Sequence, residues 1–224
     1  MKIPIDLATQ HIEAESASLS GRRKNLVTRG ITKERLAAFS DGIFAVIITI
    51  MVLQLKMPQK PTFGELLATW PTAASYLVSY FLIVIMWINH HFLWSFAKEA
   101  TPRYIFWNFA HMFAASLVPF ATAWVAGTGM ASVPVFVYAA VVVFVNLTYH
   151  GFAYAVVPRD ENPANRRAAL VRSTVTIGIF IAAMFLSLKS PRAGFAVVTC
   201  VLITYAHPEA RLPRSRLSRK GARQ

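Results

Sequence analysis

Acidic residues are scarce in this chain of 224 residues: ten Asp and Glu stand against 23 Lys and Arg. Charge of either sign makes up 15% of the sequence, against about a quarter in soluble domains, while hydrophobic residues make up 55%. The charges are also clustered, with long apolar stretches between them, which excludes an ordinary soluble domain and describes an integral membrane protein. Cysteine is nearly absent. Cys200 stands alone in an apolar segment, so an intrachain disulfide and a cysteine-rich metal site are both excluded. The first thirty or so residues hold no apolar core of a cleavable signal peptide and read as a non-translocated tail. No nucleophile elbow, glycine-rich phosphate loop or second intramembrane carboxylate is present, so catalysis is not expected. The "TVGYG" run of a backbone-carbonyl ion filter is missing too.

What is present is positive charge, +13 in all. In a soluble chain that would suggest nucleic acid. Here the basic residues gather at Arg22, Arg23, Lys24 and Arg29, again at Arg159, Arg166, Arg167 and Arg172, and along the tail from Arg211 to Arg223. Threaded through a bilayer, these clusters share one side, as the positive-inside rule requires, and no nucleic-acid partner is expected.

About 20 apolar residues cross a bilayer core as a helix. Six segments qualify: 37–57, 70–96, 105–126, 131–157, 168–188 and 192–207. The links between them are short: the turn-rich "PQKPTFGE", then "KEATPR", "GTGMAS", "PRDENPANRR" and "KSPR". With both termini cytoplasmic, that side holds 19 of the 23 Lys and Arg, and the other keeps Lys56, Lys60, Lys189 and Arg192. The expected architecture is all-α, multi-pass, in the cell (inner or plasma) membrane. A cytoplasmic tail spans 1–32, a six-helix domain 33–207 and a basic cytoplasmic tail 208–224. No internal repeat of the kind that builds many transporters is visible.

Polar side chains inside the spans are few. Asp41 lies six residues past Arg35, roughly 9 Å into the first helix, where a carboxylate costs about 2.5–3.5 kcal/mol unless it is served. His90 and His91 near the end of the second segment, and Asn108 and His111 near the start of the third, fall at a similar depth. Arg35, Ser40, Asp41, His90, His91 and Asn108 are therefore expected to form one cytoplasmic-side polar layer. Such groups must satisfy one another where water is absent. Asp41 is expected to meet a histidine of the second helix or an arginine of a neighbouring chain. The layer can serve as a tie between helices or, through histidine, as a gating or proton-sensing element. The His pair in "INHHF" is a single cluster, so no metal is expected, and His150 and His207 are isolated packing or interface residues.

Helical steps from Gly42 align Gly42, Val46, Thr49 and Leu53 on one stripe. Thr49 either bonds back to its own helix, as threonine commonly does, or offers oxygens to an ion passing an apolar constriction.

The stretch "RLAAFSDGIFAVIITIMVLQLKMP" carries Arg35, Phe39, Ser40 and Asp41 in the spacing R-x-x-x-F-S-D, and resembles the lysosomal potassium channel family called transmembrane protein 175. "WINHHF", "WNFAHMF" and "LVPFAT" are similar to that family's second and third helices, covering Trp87, His90, His91, Asn108, Pro119, Phe120 and Thr122. The similarity runs from residue 33 to about 125, and later segments match in number and character only. What the resemblance implies is a potassium-selective, leak-type channel, a homotetramer with four copies of the first helix around a central pore. It places the apolar constriction on Val46, smaller than the Ile or Leu usual there, the selectivity hydroxyl on Thr49 and a further apolar ring on Leu53. Potassium would be the permeant ion, with no cofactor, and the partners would be further copies of the chain and the lipid bilayer. The competing readings are a non-conducting membrane scaffold and a proton-coupled transporter using Asp41 and the histidines.

Overall fold

The structure is a computed structural model describing Glu15 and residues 31–55, 57–97, 99–156 and 163–205, with backbone only for 163–170 and Tyr205. Most of both expected tails, His207, Arg159 and the side chains of Arg166 and Arg167 lie outside the described residues. Among the described residues there are helices and no strand. They are α1 Lys33–Val52, α2 Phe63–Ala68, α3 Trp70–Trp94, α4 Pro102–Ser116, α5 Val118–Gly127, α6 Ser132–Val156, α7 Pro163–Lys189 and α8 Pro191–Tyr205. Among the described residues, five spans are long and apolar enough to cross a membrane: α1, α3, α4 with α5, α6, and Val171–Lys189 of α7. The chain is a multi-pass membrane protein. The described part of α8, 15 residues, covers about 22 Å of a hydrocarbon core of about 30 Å.

The helix ends follow local chemistry. α1 begins at Lys33, four residues earlier than hydropathy suggests, because the Thr32 hydroxyl accepts from the Arg35 backbone N–H at 3.3 Å. Thr101 caps α4 in the same way through Tyr104 N–H, with Pro102 in the first turn where its missing donor costs nothing. The expected third segment is broken into α4 and α5 at Leu117, two residues before Pro119. The expected loop "PQKPTFGE" is partly helical, since its Phe63 opens α2, and α7 starts at Pro163 inside the expected fourth loop. Between α5 and α6, Gly129 and Met130 take positive φ of 60° and 64° and turn the chain tightly.

Packing is organised around α6, which touches α4, α5, α7 and α8. Phe44 and Met51 of α1, Leu82 and Ile83 of α3, Val118 of α5 and Tyr138 of α6 contribute to one buried core. A smaller cluster near the other end joins Leu36, Leu93, Trp94 and Phe152. At that end Lys33 Nζ donates to the Ala97 carbonyl at 3.0 Å, tying the start of α1 to the chain just past α3. Close approach needs glycine twice. A Cβ at Gly151 would strike the Trp107 ring, and one at Gly194 would lie 2.7 Å from Ser187 Cβ.

Candidate functional site: the two faces of the first helix

Past its charged first turn α1 is apolar but for Ser40, Asp41 and Thr49, and its faces meet different surroundings. Leu36, Ser40, Phe44, Ile47 and Met51 recur every three or four residues and are buried against α3 and α4. Gly42, Val46, Thr49 and Leu53 lie on the other side and are exposed, Val46 at 54% and Leu53 at 79%. The stripe read from the sequence is thus one continuous uncovered face. Beside it runs an open apolar groove of about 770 Å³, walled by Phe39, Gly42, Val46 and Ile50 of α1 and by Ser116, Pro119 and Phe120 across the α4–α5 break. Thr49 gives its hydroxyl hydrogen to the Val46 carbonyl at 2.8 Å, one residue nearer than the i−4 carbonyl expected for a back-bonded threonine. Its oxygen lone pairs remain on the exposed side.

Behind α1 the structure gathers part of the expected polar layer. Ser40 Oγ lies 2.9 Å from the Leu36 carbonyl and 3.1 Å from Asn108 Oδ1. That same Asn108 atom is 2.8 Å from His90 Nε2, and the Trp94 indole donates to His90 Nε2 at 3.3 Å. An indole can only donate, so its bond requires a bare Nε2 on His90. A bare Nε2 cannot donate to Asn108 Oδ1, so the 2.8 Å and 3.3 Å contacts are alternatives set by the histidine's tautomer. His111 stacks on His90 with ring centroids 5.8 Å apart. Its Nδ1 is 3.2 Å from Thr148 Oγ1, whose own hydrogen is directed at the Phe144 and Val145 carbonyls, so His111 donates there. His90 Nδ1, Asn108 Nδ2 and His111 Nε2 are buried without a partner.

Asp41 does not hydrogen-bond the histidine expected of it, and the other expected partner, an arginine of a neighbouring chain, lies outside a single chain. Its Oδ1 accepts from the Trp87 indole N–H at 2.8 Å and meets no histidine there. The reason is rotational: neighbouring helix positions point about 100° apart, so Asp41 turns away from the layer that Ser40 enters. His90 and His91 divide in the same way. His90 is fully buried, and His91 is exposed with its ring 5.7 Å from that of Trp87. Phe39 is half exposed and leans on Phe109 at 5.6 Å, and Arg35 is exposed at the start of α1. Sequence reasoning searched for ionisable partners and so missed Trp87 and Trp94 as donors. It also missed a second buried network, in which Thr122 Oγ1 lies 2.8 Å from Ser79 Oγ and Ser79 Oγ lies 3.1 Å from the Tyr138 hydroxyl. The legible signal was that a tyrosine within an apolar span needs a partner for its hydroxyl. Among the described residues, no three His, Cys, Asp or Glu converge as metal ligands.

The fold and this helix define a class, a helical multi-pass membrane protein whose first helix packs one face and leaves the other open beside an apolar groove. Comparison with known proteins narrows it. The family described as endosomal/lysosomal potassium channel TMEM175 matches residues 35–119. A protein of Chryseobacterium sp. (strain P1-3) named as a potassium channel is 28% identical over 83% of this chain and 98% of its own length. One of Chamaesiphon minutus, also named as a potassium channel, is 39% identical over 40% of this chain and 47% of its own length. The human endosomal/lysosomal proton channel TMEM175 is 30% identical over 32% of this chain and 16% of its own length. In three dimensions the crystal structure of a lysosomal potassium-selective channel TMEM175 homologue from Chamaesiphon minutus aligns with a TM-score of 0.70. That alignment has 28% identity and covers 78% of this chain and 96% of the other. Over residues 35–119 the chain is similar to the TMEM175 family.

Proposed function

We propose that this chain is the subunit of a potassium channel in which α1 from four copies surrounds the ion path. The single observation that carries the reading is the uncovered stripe of Gly42, Val46, Thr49 and Leu53 on a helix whose opposite face is fully packed. A lone chain has no central axis, and an apolar stripe with one hydroxyl is what a pore without a carbonyl filter needs. The relatives named as potassium channels support the permeant ion.

In this reading Val46 forms the narrowest apolar ring, Thr49 the selective oxygen ring and Leu53 a further apolar ring. The polar layer of Ser40, Asn108 and His90, with Asp41 on Trp87, holds α1 in register behind them. Arg35, Phe39 and His91 flank that layer. α8 completes six passes, both termini face the cytoplasm, the protein sits in the cell membrane, and conduction is leak-type with no cofactor. Passive flow of ions also separates the reading from a scaffold, which passes none, and from a coupled transporter, which needs a second solute.

The test is reconstitution into liposomes holding potassium inside and sodium outside. A channel gives an electrogenic potassium flux that limits itself by the voltage it builds and needs no second solute. Absence of flux from vesicles containing a verified oligomer sinks the proposal. Because the human relative is named a proton channel, a pH dye in the same vesicles reports whether protons also pass.

A further inference from the structure

α2 is a short helix that packs no residue of its own into the protein. Its apolar side chains nevertheless follow a strict pattern. Phe63, Leu66 and Leu67 stand at i, i+3 and i+4, within one arc of about 100°, and Trp70, the first residue of α3, follows directly after Thr69. They are 85%, 53%, 70% and 67% exposed. Gly64, Glu65, Ala68 and Thr69 take the opposite arc. The helix is also fixed locally: Thr62 accepts from the Glu65 backbone N–H at 3.3 Å, in the T-x-x-E spacing of a capping box.

Where this helix lies follows from its neighbours. α1 ends at Val52 and α3 begins at Trp70, so residues 53–69 join two membrane-spanning helices at one face of the bilayer. α3 alone, with 25 residues, covers about 37 Å and already exceeds a hydrocarbon core of about 30 Å. α2 therefore sits at the edge of that leaflet. Thr69 separates it from α3, and Pro71 supplies no N–H to continue the ladder, so α2 is free to leave the axis of α3.

We infer that α2 lies in the membrane interface, with Phe63, Leu66, Leu67 and Trp70 inserted among the lipid headgroups and upper acyl chains. Gln59, Lys60 and Glu65 stay on the water side. The bilayer is the occupant because the segment is continuous at both ends with helices that are already in it. Four large apolar side chains on a water-facing helix would otherwise be an exposed patch, and Trp and Phe are the residues that favour this depth. The interfacial helix would fix the height of the C-terminal end of α1, next to Leu53.

The experiment uses the full chain in a Cys200→Ala background, since Cys200 is a free exposed thiol. Single cysteines at 63 to 68 and at 70 carry a nitroxide label in vesicles of phosphatidylcholine and phosphatidylglycerol. Collisions with oxygen, which enriches in lipid, are compared with those of a water-soluble nickel chelate. The expected result is a helical period: positions 63, 66, 67 and 70 favour oxygen, and 64, 65 and 68 favour nickel. Nickel access at every position would place α2 in water and overturn the inference. Exclusion of both reagents from the four apolar positions would mean that another copy of the chain covers them, which overturns it equally. A bimane label on Leu67→Cys gives an independent depth, with quenching expected to be stronger from nitroxide lipids labelled near the headgroup than from those labelled at the chain end. The reverse order would refute an interfacial position.

Discussion

On one side of α1, Leu36, Ser40, Phe44, Ile47 and Met51 are each at most 4% exposed; on the other, Val46 is 54% and Leu53 79% exposed. Hydropathy hardly distinguishes the two sides, because both are apolar apart from one hydroxyl each, Ser40 inside and Thr49 outside. What separates them is size and partnership. The inner side carries Phe44, whose ring sits 5.4 Å from that of His90 and 6.4 Å from that of His111, and Ser40, which joins Asn108. The outer side carries the glycine, and its hydroxyl bonds only to its own helix. Large, interlocked residues make the inner side a packing surface. Residues without a packing partner in the chain leave the outer side to something else. If that division is functional, changes inside alter whether the protein folds, and changes outside alter what it conducts.

The largest expected effect is therefore inside. Phe44→Ala empties the space between α1 and the two stacked histidines, and large-to-small core changes of this kind cost about 3–5 kcal/mol. The variant is expected to lose the oligomer or to melt far below the parent when followed by size-exclusion in detergent. A normal melting profile would show that the inner face is not a packing surface after all.

Asn108→Ala comes next. It removes the partner shared by Ser40 Oγ and His90 Nε2, leaving them only the Leu36 carbonyl and the Trp94 indole, and losing buried polar contacts costs about 1–3 kcal/mol. Stability is expected to fall while flux per assembled channel and its reversal potential stay at parent values. Parent stability with a changed reversal potential would move this layer from a support for α1 into the ion path itself.

The two faces were only half legible beforehand. Long apolar runs fixed the five spans to within a few residues, since hydropathy over twenty positions overwhelms local exceptions. The break at Leu117 was signalled by Pro119 but lost inside a continuous apolar run, and α2 was hidden because six residues in a Pro-rich loop look like a turn. Depth along a helix was readable from counting, which brought Ser40, His90 and Asn108 to one level. Rotation about the axis was not readable to the needed accuracy. An error of one residue swings a side chain by about 100°, enough to separate Asp41 from Ser40 and His91 from His90. Asp41's partner escaped because a neutral indole is not an obvious match for a carboxylate, although it is a sufficient donor.

On the outer face, effects on stability are expected to shrink to within about 0.5 kcal/mol, the range of surface substitutions without special roles. Val46→Asn replaces an apolar ring with a polar one of similar size. A constriction that closes by dewetting should then hold water, and the proposed channel should pass more current at unchanged stability. Val46→Trp should block it. Unchanged current in both variants would shift the constriction to Leu53.

Thr49 makes the finest distinction between the faces, because removing its hydroxyl should barely touch folding. The side chain is exposed, and its one hydrogen bond, to the Val46 carbonyl, is internal to the helix. Thr49→Val keeps the branched shape, so melting should match the parent. The oxygen is another matter. With its hydrogen committed to the Val46 carbonyl, the hydroxyl turns lone pairs outward, about 4.5 Å along the axis from Val46. Four such oxygens around a shared axis would offer an ion partial replacement for its lost water in a path that is otherwise apolar. Potassium holds its hydration less tightly than sodium, so a weak ring of this kind favours potassium. Reversal potentials with potassium inside and sodium outside are therefore expected to collapse toward zero in Thr49→Val, or current to disappear, while Thr49→Ser retains the preference. A valine variant with parent current and parent reversal potential would leave Thr49 a threonine bonded to its own helix, and the outer face of α1 a surface with no selective element.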